Sequence, residues 1–242
     1  MPPHKFLSKN PFRTNPIPRL ILLALAVFPL FYLNEFIVHF EAYFTGNIIN
    51  QVIIGNWAAV IGSISLFAAF LIPLSYRRKA DWAEYGLATA FFVSLFVEMY
   101  GVPLTILFAS KYFYSPQIAL PQNVAAFNLF GFSFAMDLAM AYGAVLMAIG
   151  AALILVGWVN LYKAAKKDRL VTTVIYSYSR HPQYLGFILI IFGWLVGWPT
   201  ILTLIFAPIL IYKYIRVCQA EEKEMEKFGD YRRYKQKVPF FI

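Results

Sequence analysis

With 242 residues, 60% of them hydrophobic and only 14% charged, and a mean hydropathy of +0.63, the chain is no ordinary soluble domain and has the composition of a polytopic membrane protein. One cysteine, Cys218, excludes an intramolecular disulfide, and three scattered histidines beside it exclude a metal cluster. The net charge of +9 suits an anionic partner, and the placement of the basic residues points to lipid rather than nucleic acid.

Residues 1–16 read as a basic tail, with Pro2, Pro3, Pro11 and Pro16 among Lys5, Lys9 and Arg13. The first apolar run shows no small-residue cleavage site, so it is read as a span rather than a signal peptide. Six spans follow from runs of about 20 apolar residues, the length that crosses a bilayer as a helix. They run from about Ile17 to Phe40, Val52 to Ser75, Gly86 to Ala109, Met136 to Tyr162 and Gln183 to Val196, with the sixth ending near Val217. Pro199 in "GWP" breaks the last long run, which therefore predicts a tight helical hairpin. The loop between spans three and four, Ser110 to Ser133, is aromatic and proline-rich and reads as lying at the membrane interface.

Basic residues test the count. With the N-terminus inside, Lys111 alone falls outside; the other Lys and Arg lie in inner segments. The positive-inside rule thus supports both termini cytosolic and explains most of the charge through topology and anionic lipid. The expected fold class is all-α, a polytopic bundle of about six transmembrane helices with a C-terminal hairpin and a cytosolic cofactor pocket. The expected organisation is a basic tail 1–16, a three-span region with its outer loop 17–135, and a C-terminal region 136–242 carrying the site.

Two motifs carry chemistry. "SRHPQY" places Arg180 and His181 just before Pro182, and proline favours the first turn of a helix. Such a helix start accepts an anion; it also serves as a plain topology anchor. "CQAEEKEMEKFGDYRRYKQKVPFFI" follows the sixth span and holds five acids from Glu221 to Asp230. They suit either a solvated helix paired with Lys223, Lys227, Arg232 and Arg233, or a carboxylate turned toward a ligand. The hairpin brings these motifs to one membrane depth, so His181 is expected beside Glu221 and Glu222. Within the spans, Glu98 is costly to bury and reads as either a structural acid or a functional one. Glu35 and His39 read as an i, i+4 pair near the outer surface, and Asp137 opens the fourth span.

"DRLVTTVIYSYSRHPQYLG", a short apolar hairpin, then "EEKEMEKFGDYRRYKQKVP" resembles the isoprenylcysteine carboxyl methyltransferase family and its relatives, the membrane phospholipid N-methyltransferases. The resemblance covers roughly Val159 to Ile242. It implies a multi-span enzyme using S-adenosylmethionine at the cytosolic face, on an amphiphilic acceptor that enters from the bilayer. Carried over, it implies cofactor contacts from Leu170, Val171 and Tyr176 of the connector, from His181, Pro182, Gln183 and Tyr184 of the turn, and from Glu221 and Glu222. Glu222 is also a candidate base for an amine acceptor. Arg216, displaced by about one position, matches the basic residue associated with the acceptor carboxylate. One departure is Val174, where the family has a glycine; a valine avoids positive φ, so a different local turn is expected there. Two rival readings stay open: a membrane isoprenoid or sterol-type reductase binding NADPH near Lys166, Lys167 and Arg169, and a non-enzymatic relative.

Overall fold

In the computed structural model, which describes residues 16–45, 119–129, 132–165, 171–227 and 229–241, the first apolar run is two helices rather than one. These are α1 (Ile17–Phe31) and α2 (Leu33–Phe44), broken at Tyr32, whose φ of −124° and ψ of 35° are not helical. Pro29 lies inside α1. It has no N–H to donate and its ring crowds the preceding turn, so the helix gives way within a turn of it. The expected spans 52–75 and 86–109, and Glu98, lie outside the described residues.

Next comes an antiparallel hairpin, β1 (Asn123–Leu129) with β2 (Phe132–Asp137), in the register Ala126↔Ala135 and Phe127↔Phe134. The described end of the expected interfacial loop enters a pair of strands, an addition to a mainly helical chain. No strict apolar–polar alternation marks "NVAAFNL", so the usual period-of-two signal was missing.

Three long helices follow: α3 (Leu138–Ala165), α4 (Pro182–Gly197) and α5 (Ile201–Met225), then the short α6 (Gly229–Lys237). α3 begins two residues later than expected because Asp137 caps it: its Oδ1 accepts the Met140 amide at 2.9 Å. α5 begins with a reciprocal cap. Thr200 Oγ1 accepts the Thr203 amide at 3.1 Å, and Thr203 Oγ1 accepts the Thr200 amide at 2.8 Å. α5 does not stop near Val217. It runs through Gln, Ala, Glu and Lys, all ready helix residues, and so carries Glu221 and Glu222 on the same rigid rod.

Among the described residues, Leu138–Lys163 and Thr203–Met225 are each long and apolar enough to cross a membrane, and α1 with α2 qualifies as a pair. The chain is an integral membrane protein.

The described residues fall into two compact units. One takes α2, the hairpin, the start of α3, the end of α4 and the start of α5. Its packing includes Ala42 and Tyr43 against Met140 and Trp198. The other takes α1, α3 from Leu146, the chain through Ile190, and α5 from Tyr214 onward. There α3 and α4 touch backbone to backbone: a Cβ at Gly150 would lie 2.5 Å from the Gly186 carbonyl oxygen, and one at Gly186 would lie 2.6 Å from that of Gly150. Only glycine permits so close an approach. The site described next lies wholly in this unit.

Candidate functional site

The "SRHPQY" turn is built by its own residues and by the end of the chain. Pro182 is the first residue of α4 and is fully buried, as its preset φ allows. His181 caps the helix: its carbonyl accepts the Leu185 amide at 3.0 Å, while its own amide meets Ser179 Oγ at 3.2 Å. The chain after α6 folds across this turn as a strap. Arg180 and His181 donate their amides to the carbonyls of Pro239 and Phe240 at 3.1 and 3.3 Å. Arg180 Nη1 donates to the carbonyls of Lys235 and Val238 at 2.8 and 2.9 Å. The His181 ring packs 4.9 Å from that of Phe240.

Glu222 sits at the centre. It is 5% exposed, yet both its oxygens are engaged. Oε1 accepts from Arg180 Nε at 2.7 Å and lies 3.2 Å from His181 Nε2; Oε2 lies 2.9 Å from Lys235 Nζ. Lys235 also holds Glu226 at 2.6 Å. A buried carboxylate needs such a set of cations and donors to offset its lost hydration.

Burial pushes the His181 imidazole below its ordinary range, and the neighbouring Glu222 only partly opposes this. A neutral His181 then donates from Nε2 to Glu222 and keeps an acceptor at Nδ1. Burial likewise raises the phenols of Tyr176, Tyr231 and Tyr234 above the usual tyrosine range, so they act as donors. Tyr234 donates to the Tyr176 carbonyl at 2.6 Å, which ties α6 to the connector. Bonds to Glu226 and then Glu222 raise the Lys235 ammonium.

Glu221 is different in kind. Its side chain is 50% exposed and lies 3.9 Å from His181 Nδ1. The Tyr184 phenol donates to it. Beyond Tyr184 the rings of Tyr214 and Phe187 continue an aromatic face, stacked at 5.3 Å.

The expected gathering of His181, Tyr184, Glu221 and Glu222 is therefore present. Tyr176 is buried beside it, and Val171 is half-buried in the connector. The Gln183 amide lies against Gly157 of α3 instead. Arg216 is exposed on α5 and joins none of the cluster's ion pairs. Leu170 lies outside the described residues. Val174 corrects an expectation: it takes φ 58°, the left-handed value that a glycine would supply. The turn is kept and the valine bears the strain.

Sequence reading missed Lys235, Tyr231, Tyr234 and the strap, and read Arg180 as part of an anion-accepting helix start or as a topology anchor, not as the partner of Glu222. The signal available was the excess of aromatic residues in "DYRRYKQKVPFFI", too polar a stretch for a span and too aromatic for a solvated tail.

A second buried cluster also corrects the sequence. His39 pairs not with Glu35, which is exposed, but with Asp137, Nδ1 to Oδ2 at 2.7 Å. α2 turns His39 inward and Glu35 outward.

Residues 138–231 match the phospholipid methyltransferase family. The C-terminal region is thus similar to the phospholipid methyltransferases. Over 82 residues, 33% of this chain, the sequence is 38% identical to methanethiol S-methyltransferase 1 of Bradyrhizobium diazoefficiens, and the match spans 28% of that relative. No solved structure matches the chain. The matched region contains Arg180, His181, Glu222 and Tyr231; Lys235 and the strap lie past its end.

Proposed function

We propose that the chain is an integral-membrane methyltransferase that uses S-adenosylmethionine and acts on an amphiphilic acceptor, with the cofactor at the start of α4. The observation that carries this is the contrast between the two adjacent glutamates. Glu222 is engaged by protein cations, whereas Glu221 presents a half-exposed carboxylate beside His181 Nδ1, Tyr184 and an aromatic face.

The donor set fits the group. Ribose hydroxyls donate to a carboxylate or to an imidazole nitrogen, and a sulfonium is held by carboxylate charge and by aromatic faces. Glu221, His181, Tyr184 and Tyr176 would hold it, with Pro182 setting the turn and Val171 covering it from the connector. When bound, S-adenosylmethionine supplies a sulfonium methyl, whose carbon bonds to the acceptor's nucleophilic atom as the carbon–sulfur bond breaks and a neutral thioether leaves.

The protein's part is placement and exclusion of water, as in-line displacement needs little proton transfer. Glu222 is in this reading a positioning residue: it fixes Arg180 and His181, and through Lys235 the strap. A carboxylate or thiolate acceptor arrives as its own nucleophile. An amine must lose a proton, and Glu221 is the more accessible carboxylate for that role. Arg216, exposed on α5, is proposed to meet an acceptor carboxylate. The distribution of basic residues supports this end of the spans being cytosolic.

The test is calorimetric titration of the purified full chain with S-adenosylhomocysteine and, separately, with NADPH. Micromolar binding of the first, weakened at least tenfold in Glu221→Ala, is expected. Binding of NADPH alone would overturn the reading in favour of a reductase.

A further inference from the structure

Two amide side chains stand at one end of the α3–α4 packing with donors that nothing among the described residues satisfies. Gln183 is 7% exposed, and among the described residues its Nε2 has no hydrogen-bond partner; nor has the buried Nδ2 of Asn160. They share a location. The Gln183 side chain lies over Gly157, where an added Cβ would stand 2.5 Å from Gln183 Cγ and 3.2 Å from Nε2. Asn160 is one turn beyond Gly157 on the same face of α3. Both therefore sit at the same end of the α3–α4 pair, near the close of the apolar stretch Leu138–Lys163 and at the start of α4, which is head-group depth in a bilayer. Around them α3 exposes Val156, Trp158, Val159 and Leu161, an apolar flank suited to lipid tails.

Buried polar groups are almost always paired, and the exceptions cluster where a ligand completes the set. Amide N–H groups recognise oxygen acceptors, and the first turn of α4 adds the positive end of a helix dipole. Resting on the methyltransferase reading above, we propose that Asn160 and Gln183 bind an anionic oxygen of the acceptor's head group, either a carboxylate or a phosphodiester. This makes them residues of acceptor recognition rather than cofactor contacts. Gly157 is part of the device, since its missing side chain is what lets the Gln183 amide lie flat on α3.

The variants Asn160→Leu and Gln183→Met remove the donors while filling the space. Full-length protein would be assayed for methyl transfer to phosphatidylethanolamine vesicles, to farnesylcysteine and to methanethiol. S-Adenosylhomocysteine affinity and thermal midpoint would be measured beside the rates. The KM for whichever anionic acceptor the wild type uses is expected to rise about tenfold in each variant, the loss of one hydrogen bond to a charged group. Cofactor affinity should stay within about twofold, and the thermal midpoint should not fall, because an unmade buried bond is being removed. The vesicle and farnesylcysteine arms tell a phosphodiester from a carboxylate. Weakened S-adenosylhomocysteine binding with an unchanged acceptor KM would overturn the proposal, as would a lowered midpoint or transfer to neither anionic acceptor. If the wild type binds no S-adenosylhomocysteine, it is the methyltransferase reading itself that fails.

Discussion

Each of the two compact units buries a histidine against a carboxylate, and the two are built in opposite ways. His39 and Asp137 form a closed pair, with side chains 0% and 4% exposed. Asp137 divides its oxygens between the imidazole and the Met140 amide, and aromatic rings of Phe40 and Tyr43 surround His39. His181 and Glu222 belong to an open network that also takes in Arg180 and Lys235, the latter 37% exposed. The difference teaches where each carboxylate finds its partners. Among apolar helix faces, Asp137 draws on one ring and on the helix it caps. Where α5 outlasts its apolar stretch, Glu222 draws cations from the turn before α4 and from the tail.

The sharpest break in this comparison comes from Glu222→Ala. It leaves Arg180 with no carboxylate and cuts the strap's tie through Lys235, and losing one partner of a buried ion pair costs about 3–5 kcal/mol. The thermal midpoint should fall steeply, and amide exchange should rise first in α6. Glu222→Gln keeps the shape and should lose less. If the midpoint barely moves, the network is not what holds the strap. Asp137→Ala tests the closed pair. It removes a helix cap and orphans His39 Nδ1, for an expected loss of about 2–4 kcal/mol. This loss should leave S-adenosylhomocysteine affinity alone, whereas Glu222→Ala should weaken it. Equal effects of the two on ligand affinity would erase the distinction drawn between the clusters.

A stabilising change should come from Val174→Gly. Holding a valine at φ 58° costs about 1–2 kcal/mol, partly offset by the added freedom of glycine in the unfolded chain. A net gain of about 1 kcal/mol is expected, read as a higher thermal midpoint. No gain would mean that the connector carries no strain in solution. The smallest effect concerns pH. The folded His181 has its pKa lowered, chiefly by burial, so below about pH 6.5 the unfolded chain takes up a proton that the folded one refuses. Stability should therefore decline as pH falls through that value and level off below the folded pKa. Melting curves of the wild type and His181→Asn across this range should differ in slope; identical slopes would refute the assignment.

Much of the C-terminal architecture was legible. Pro182 and the Gly197–Pro199 break placed α4 and the hairpin, and the hairpin brought His181 to Glu222. What escaped were the partners set by folding beyond the hairpin. Nothing local to Arg180 says that its guanidinium meets carbonyls of Lys235 and Val238, 55 and 58 residues on. Nothing near His39 points to Asp137, 98 residues away; the i, i+4 spacing to Glu35 pointed elsewhere. Pro29 was visible, but a proline in an apolar run is often tolerated, so the break at Tyr32 was not foreseen.

By itself the sequence determined that this is a membrane protein, where α3 and α4 run and α5 begins, and that His181, Glu221 and Glu222 reach one end of the hairpin. Those features follow from apolar run length and from proline and glycine, which act within a few residues. Only the tertiary structure decided which glutamate is buried among cations and which is left half-exposed beside His181 and Tyr184. Glu221 and Glu222 are adjacent and chemically identical, and a helix turns successive side chains by about 100°. Their roles are separated by what packs against each face of α5, and that is set by residues far away in the chain.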